Sequence, residues 1–142
     1  NITAAYKKYD VKSYYNSGLK EKPIQPRNIL FFNYGIESNK INDKNWKFDI
    51  TYNRLGKQRL VRNPRDNFEL VDQHFSINSQ ITRVFSSKFE VYLGGENINN
   101  FKQEDPIIMA NNPFDPMFDA SIVHGPIFGS TYYMGLRFKI LN

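Results

Sequence analysis

Apolar residues in this chain recur at every second position, and no segment sustains them at helical spacing. In Trp46-Lys47-Phe48-Asp49-Ile50-Thr51-Tyr52-Asn53, the residues Trp46, Phe48, Ile50 and Tyr52 share one face. Lys47, Asp49, Thr51 and Asn53 share the other. A period of two puts successive side chains on opposite faces of a strand, so this is the pattern of a strand apolar on one side only. It returns in Ile29 to Ile36, in Phe75 to Thr82 and in Phe89 to Glu96. It is cleanest in the strand from Tyr132 to Leu141, where Met134, Leu136, Phe138 and Ile140 alternate with Tyr133, Gly135, Arg137 and Lys139. Ile2 to Tyr15 reads as extended with ambiguous faces, which makes six expected strands and an all-β chain.

The connections between these strands alternate in length. Ser38 to Asn45 and Ser86-Ser87-Lys88 are short; Asn16 to Asn28, Leu55 to His74 and Asn97 to Thr131 are long and hold the prolines. Long structureless loops are uncommon in a compact domain. Short turns at one end and long loops at the other are the habit of outer-membrane barrels, with the short turns in the periplasm. A strand that follows a long loop then descends, which leaves the C-terminus periplasmic. The expected fold is an antiparallel up-and-down transmembrane β-barrel. Six strands do not close such a barrel, because the smallest use about eight. Asn1 also opens directly into patterned sequence, without the signal peptide that an outer-membrane protein needs. The expectation is therefore that residues 1–142 are the last six strands of a larger barrel.

Composition agrees with a two-faced sheet. Aromatics are 15% of residues, with 12 Phe and 9 Tyr, yet mean hydropathy is negative. No run of about 18 apolar residues forms a transmembrane helix, and transmembrane strands do not need one. The net charge of +5 is spread along the chain without a stripe, so nucleic acid is not an expected partner. The absence of cysteine removes disulfides, thiolate catalysis and Cys-ligated metals.

The stretch Tyr92-Leu93-Gly94-Gly95-Glu96-Asn97-Ile98-Asn99-Asn100-Phe101 resembles the penultimate strand of TonB-dependent outer-membrane receptors of the Bacteroidota type. There a Gly-x-Glu-Asn-hydrophobic-x-Asn pattern is typical. Asp105-Pro106-Ile107-Ile108, Asn112-Pro113-Phe114, Phe118-Asp119-Ala120-Ser121 and Gly125-Pro126-Ile127-Phe128-Gly129 look like that family's final extracellular loop. The resemblance is specific from about Lys88 onward. Tyr133, Gly135, Phe138 and Ile140 resemble the closing signal read by the barrel-assembly machinery, although the chain ends Ile140-Leu141-Asn142 and not on an aromatic residue. The resemblance implies a barrel of about 22 strands around an amino-terminal plug. It implies uptake of a scarce nutrient (a metal chelate, metal ion or oligomer), with energy supplied through TonB to a plug that this sequence lacks. Implied partners are outer-membrane lipid, the remaining barrel and plug, the TonB complex and a small-molecule or metal ligand. A surface lipoprotein is a further one, as in the glycan-importing branch. No cofactor is implied.

Few residues carry chemistry. His124 shares the longest loop with Met109 and Met117, and thioether with imidazole suits copper. These three are the candidate ligand contacts; the plainer reading is that the methionines pack the loop. Glu96, Glu104, Asp105, Asp115 and Asp119 could pair for acid–base work, but no nucleophile–base–orienter set accompanies them, so an enzyme is not expected. Trp46 and Phe89, each beside a short turn, are expected interface aromatics. Arg83 falls on the apolar parity, close to a short turn, and tests the register. The competing function is a soluble all-β ligand- or carbohydrate-binding module, in which the same apolar face would meet a second sheet within the chain.

Overall fold

The six-stranded ladder is ordered along the chain. The computed structural model describes residues 1–16, 18–22, 24–42, 44–59, 70–104, 106, 107, 109–120 and 123–140. Asp105, Ile108, Ser121 and Leu141 lie outside the described residues, as do residues 60–69 of the connection that begins at Leu55. The strands are β1 (Ile2–Lys8), β2 (Lys12–Tyr15), β3 (Gly18–Glu21), β4 (Asn28–Glu37), β5 (Asn45–Leu55), β6 (Gln58–Arg59), β7 (Leu70–Val71), β8 (His74–Ser86), β9 (Phe89–Glu96) and β10 (Thr131–Phe138). One sheet takes them in the order β1-β4-β5-β8-β9-β10, and every pairing is antiparallel. Two small ribbons, β2-β3 and β6-β7, stand outside it. The fold is all-β and antiparallel, with no helix among the described residues.

Both short connections lie at one end of the sheet. In the first, the Ser38 N–H donates to Trp46 O, the Trp46 N–H donates to Ser38 Oγ, and Ile41 and Lys44 bridge. In the second, Ser86 Oγ accepts the N–H groups of Lys88 and Phe89. The long connections gather at the other end. Two of them are spent partly on the ribbons, which give otherwise unpaired backbone its hydrogen bonds.

Two expectations are corrected. The extended stretch Ile2 to Tyr15 is two strands. The Tyr9 N–H still bonds Arg27 O in the β1–β4 register, the Arg27 N–H turns instead to Lys57 O, and β2 then folds back on β3. The last strand ends at Phe138, so Ile140 does not belong to it and is 85% exposed. The reason is local: β9 begins at Phe89, and beyond it, among the described residues, the Lys139 N–H makes the last bond, to Lys88 O.

The register sorts the side chains by chemistry. Ile36, Phe48, Ile81, Leu93 and Met134 form one row across the sheet, and Trp46, Arg83, Val91 and Leu136 the next. The opposite face carries Asn33 with Thr51 and Asn78, Asp49 with Gln80, then Lys47, Thr82 and Tyr92, then Glu90 with Arg137. No hydrophobic residue is buried among those described, whereas Asn45, Thr82, Glu90 and Asn97 are. This inverts the usual distribution, in which apolar residues fill the interior.

β9 and β10 interlock on the polar face. Tyr92 stands opposite Gly135 and Tyr133 opposite Gly94. A Cβ on either glycine would overlap the ring across from it, so each tyrosine lies on bare backbone. The two rings meet at 6.3 Å. A cross-strand aromatic over a glycine recovers the packing that the missing side chain gives up. Gly135→Ala should therefore destabilise by about 1–3 kcal/mol, the usual cost of overpacking. Adding Tyr92→Ala should recover part of that loss, seen as a non-additive double-mutant cycle in denaturant unfolding; strict additivity would contradict the interlock.

Candidate functional site

At the loop end of the sheet, the Asn97–Ser130 connection is held by the side chains of a short asparagine-rich segment. Asn97 and Asn100 have φ near +51° and +54°, a left-handed conformation that asparagine tolerates better than most residues. The turn they make lets Asn97 serve as a hub. Its N–H donates to Asn78 Oδ1 at 2.9 Å, and its Nδ2 donates to Phe101 O and Phe128 O. Its Oδ1 accepts the Phe101 N–H, and its main-chain O accepts Ser130 Oγ. Asn99 takes the place of a strand residue beside β8: its Oδ1 accepts the Ile77 N–H, and its Nδ2 donates to Phe75 O. Asn100 Oδ1 accepts the Ser130 N–H. Both ends of the loop are thus tied to one point at the rim.

Gln103 makes the next tie. It is 8% exposed, its N–H donates to Pro126 O, and its Oε1 accepts the N–H groups of His124 and Gly125. Against this arm lies His74, the first residue of β8 and one step beyond the apolar rows, which on that strand run from Phe75 to Phe85. Its ring stacks on Phe101 at 4.7 Å and 10°, and its centroid is 6.0 Å from that of His124. Burial, and then the neighbouring His124, lower the His74 pKa from its ordinary value.

Met109 is 45% exposed in a left-handed turn, and the Met117 N–H is bound to Asp115 Oδ1. Asp115 therefore shapes a turn, and Phe114, in the preceding Asn112–Asp115 turn, is 97% exposed. His124 stands beside His74, which sequence reasoning left without a role. The signal for the hub was present in Asn97-x-Asn99-Asn100; the Gln103 tie and the histidine pairing had none, since both join distant segments.

Trp46 and Phe89 do stand at the short-turn end on the apolar face, with Phe89 5.7 Å from Phe85. Arg83 lies on that face too, where its guanidinium covers the Trp46 ring at 4.8 Å. The Gly135 and Tyr133 positions serve the interlock, and Phe138 closes the apolar rows beside Phe89.

On the polar face, Asn33 Nδ2 donates to both Asp49 oxygens and to Thr51, and Tyr133 Oη meets Gln80 Oε1 at 3.3 Å. Arg137 pairs with Glu90 and lies over Tyr92. A shallow polar cleft follows these groups from Asn1 and Glu37 across Lys47 and Asp49 to Arg137. It holds acceptors and donors in mixed array and has no set of three or more metal-ligating His, Cys, Asp or Glu residues among those described. Comparison with protein-family models, curated proteins and solved structures finds no match.

Removing the hub should release the loop. Asn97→Ala strands buried partners at about 1–3 kcal/mol each, so amides of the loop should exchange with solvent at least tenfold faster while those of β8 and β9 do not change. Asn97→Gly, which keeps the turn but not the bonds, should behave alike. A second expectation concerns pH. A histidine whose folded pKa is depressed is neutral when docked, so docking is fully stable above the unfolded value near 6.5 and weakens as pH falls through it. After correction for intrinsic rates, His124 and Gly125 amides should lose protection between pH 7.5 and 5.5, and His74→Phe should abolish that loss.

Proposed function

We propose that the chain is a stretch of outer-membrane barrel wall, the C-terminal segment of a TonB-dependent receptor that imports a scarce nutrient. The observation that carries the membrane reading is the apolar belt on a sheet that buries no hydrophobic side chain among the described residues. On β8 the belt runs from Phe75 to Phe85, ten residue steps. At about 3.4 Å per residue that is roughly 34 Å along the strand. With the tilt of about 35–45° usual in such barrels, it is roughly 24–28 Å in height, against an apolar band about 25 Å tall.

The belt is edged as a bilayer requires. Trp46, Phe85, Phe89 and Phe138 line the short-turn end; Tyr6, Tyr52, Phe75 and Tyr132 line the loop end. Aromatic girdles at both interfaces are characteristic of transmembrane barrels. Arg83 lies near the girdle, where a cation over an indole ring is tolerated. Within the described residues β1 and β10 do not pair, so each leaves one edge open. Open edges do not persist in lipid, which favours further strands completing the wall. The polar face then lines a lumen, and the pinned loop faces outward.

The receptor part of the reading rests on the resemblance of Gly94 to Phe101 and of the following loop. Its partners would be lipid, the rest of the barrel, the plug and, through the plug, TonB. The cargo is set by segments other than this wall.

Leu93→Arg or Met134→Arg, mid-belt, should lower stability in lipid by about 2–4 kcal/mol, whereas Gln80→Arg, at the same height on the polar face, should have little effect. Brominated lipid should quench Trp46 fluorescence. On intact cells an epitope at Phe114 should be accessible and one after Lys139 should not. A monomer that is stable and cooperatively folded without detergent would overturn the membrane reading and leave the soluble binding module.

A further inference from the structure

The two histidines come from segments far apart in the chain, and both are held from behind. His74 is 7% exposed, with a face of its ring covered by Phe101. His124 is fixed by its own N–H and that of Gly125, both on Gln103 Oε1, at 2.8 and 3.2 Å. The stack leaves the edge of the His74 ring for contact. That edge, Cε1 and Nε2, is directed at Gly125: a Cβ there would stand 3.5 Å from each atom. The glycine places no side chain against that edge, and His124 is its neighbour in the chain.

The spacing suits a shared ion. A metal–imidazole bond is about 2.0–2.1 Å and a ring centroid lies about 1.1 Å behind its nitrogen, so two imidazoles on one ion have centroids at most roughly 6.3 Å apart. The observed 6.0 Å falls inside that limit and corresponds to an N–metal–N angle of roughly 145°, nearer a trans pair than a tetrahedral one, with the rings inclined at 61°. We propose that His74 and His124 together bind one divalent cation of the copper, nickel and zinc class, fastening the loop to the start of β8.

Imidazole is the ligand those ions favour over Mg²⁺ or Ca²⁺. Coordination requires neutral imidazole, the form that burial already favours at His74. No set of three His, Cys, Asp or Glu ligands occurs among the described residues, so water or a donor beyond those residues would complete the coordination. The inference stands on the loop and strand geometry and does not depend on what covers the apolar face.

The test uses the full chain in the buffer or detergent that keeps it folded, with one equivalent of Cu²⁺. Electron spin-echo envelope modulation should count two coordinated imidazoles in the wild type, and one in His74→Gln or His124→Gln. Zn²⁺ affinity, measured by equilibrium dialysis, should drop at least tenfold in each variant. The His124→Gln exchange lies in the loop, outside the sheet's ladder, so it reports on binding even if His74→Gln disturbs β8. A wild-type count of one or none, or Zn²⁺ affinity unchanged by either substitution, would overturn the site. Either result leaves the barrel reading untouched.

Discussion

Backbone pairing across six antiparallel strands is the constraint from which everything else follows. Once β4, β5, β8 and β9 are each bonded on both sides, the side chains have only two places to go. The register decides which residues share a place, and a slip by one residue would exchange the faces wholesale. Arg83 shows how tightly this is held. It sits on the apolar face because the ladder puts it there, and the local answer is a ring, Trp46, for the guanidinium to cover.

A sheet of this kind has no interior of its own. In a soluble sandwich the apolar faces of two sheets meet about 10 Å apart and bury each other. Here the groups that are buried are polar, and they are buried by hydrogen bonding at the rim and on the polar face. Stability within the chain therefore comes from ladders, from the Tyr–Gly interlock of β9 with β10, and from the asparagine hub. The hydrophobic contribution waits for whatever surface meets the belt.

The loop end works differently from the sheet. Sheet residues act through parity, so neighbours can be exchanged within a class. The Asn97, Asn99, Asn100 and Gln103 ties act through individual atoms, each donor matched to a particular carbonyl or carboxamide oxygen. Such ties order a long connection with no named strand or helix among its described residues, and they bring His124 to His74. An ordered long loop is the natural place for specificity to reside.

Much of this was legible in the order of residues. Alternation gave the six strands, the unequal connections gave an up-and-down path, and the two short connections put Trp46 and Phe89 at one end. These features are local: each depends on spacing within a few residues, which a strand converts directly into geometry. The division of the amino-terminal stretch at Tyr9, the end of β10 at Phe138 and the pairing of His74 with His124 were not legible. Each depends on what a distant segment offers, namely Lys57 O, which takes the Arg27 N–H away from Tyr9, the start of β9, and the Gln103 carboxamide. Period two assigns a side chain to a face, but which atoms stand across from it is settled when separate strands and loops meet.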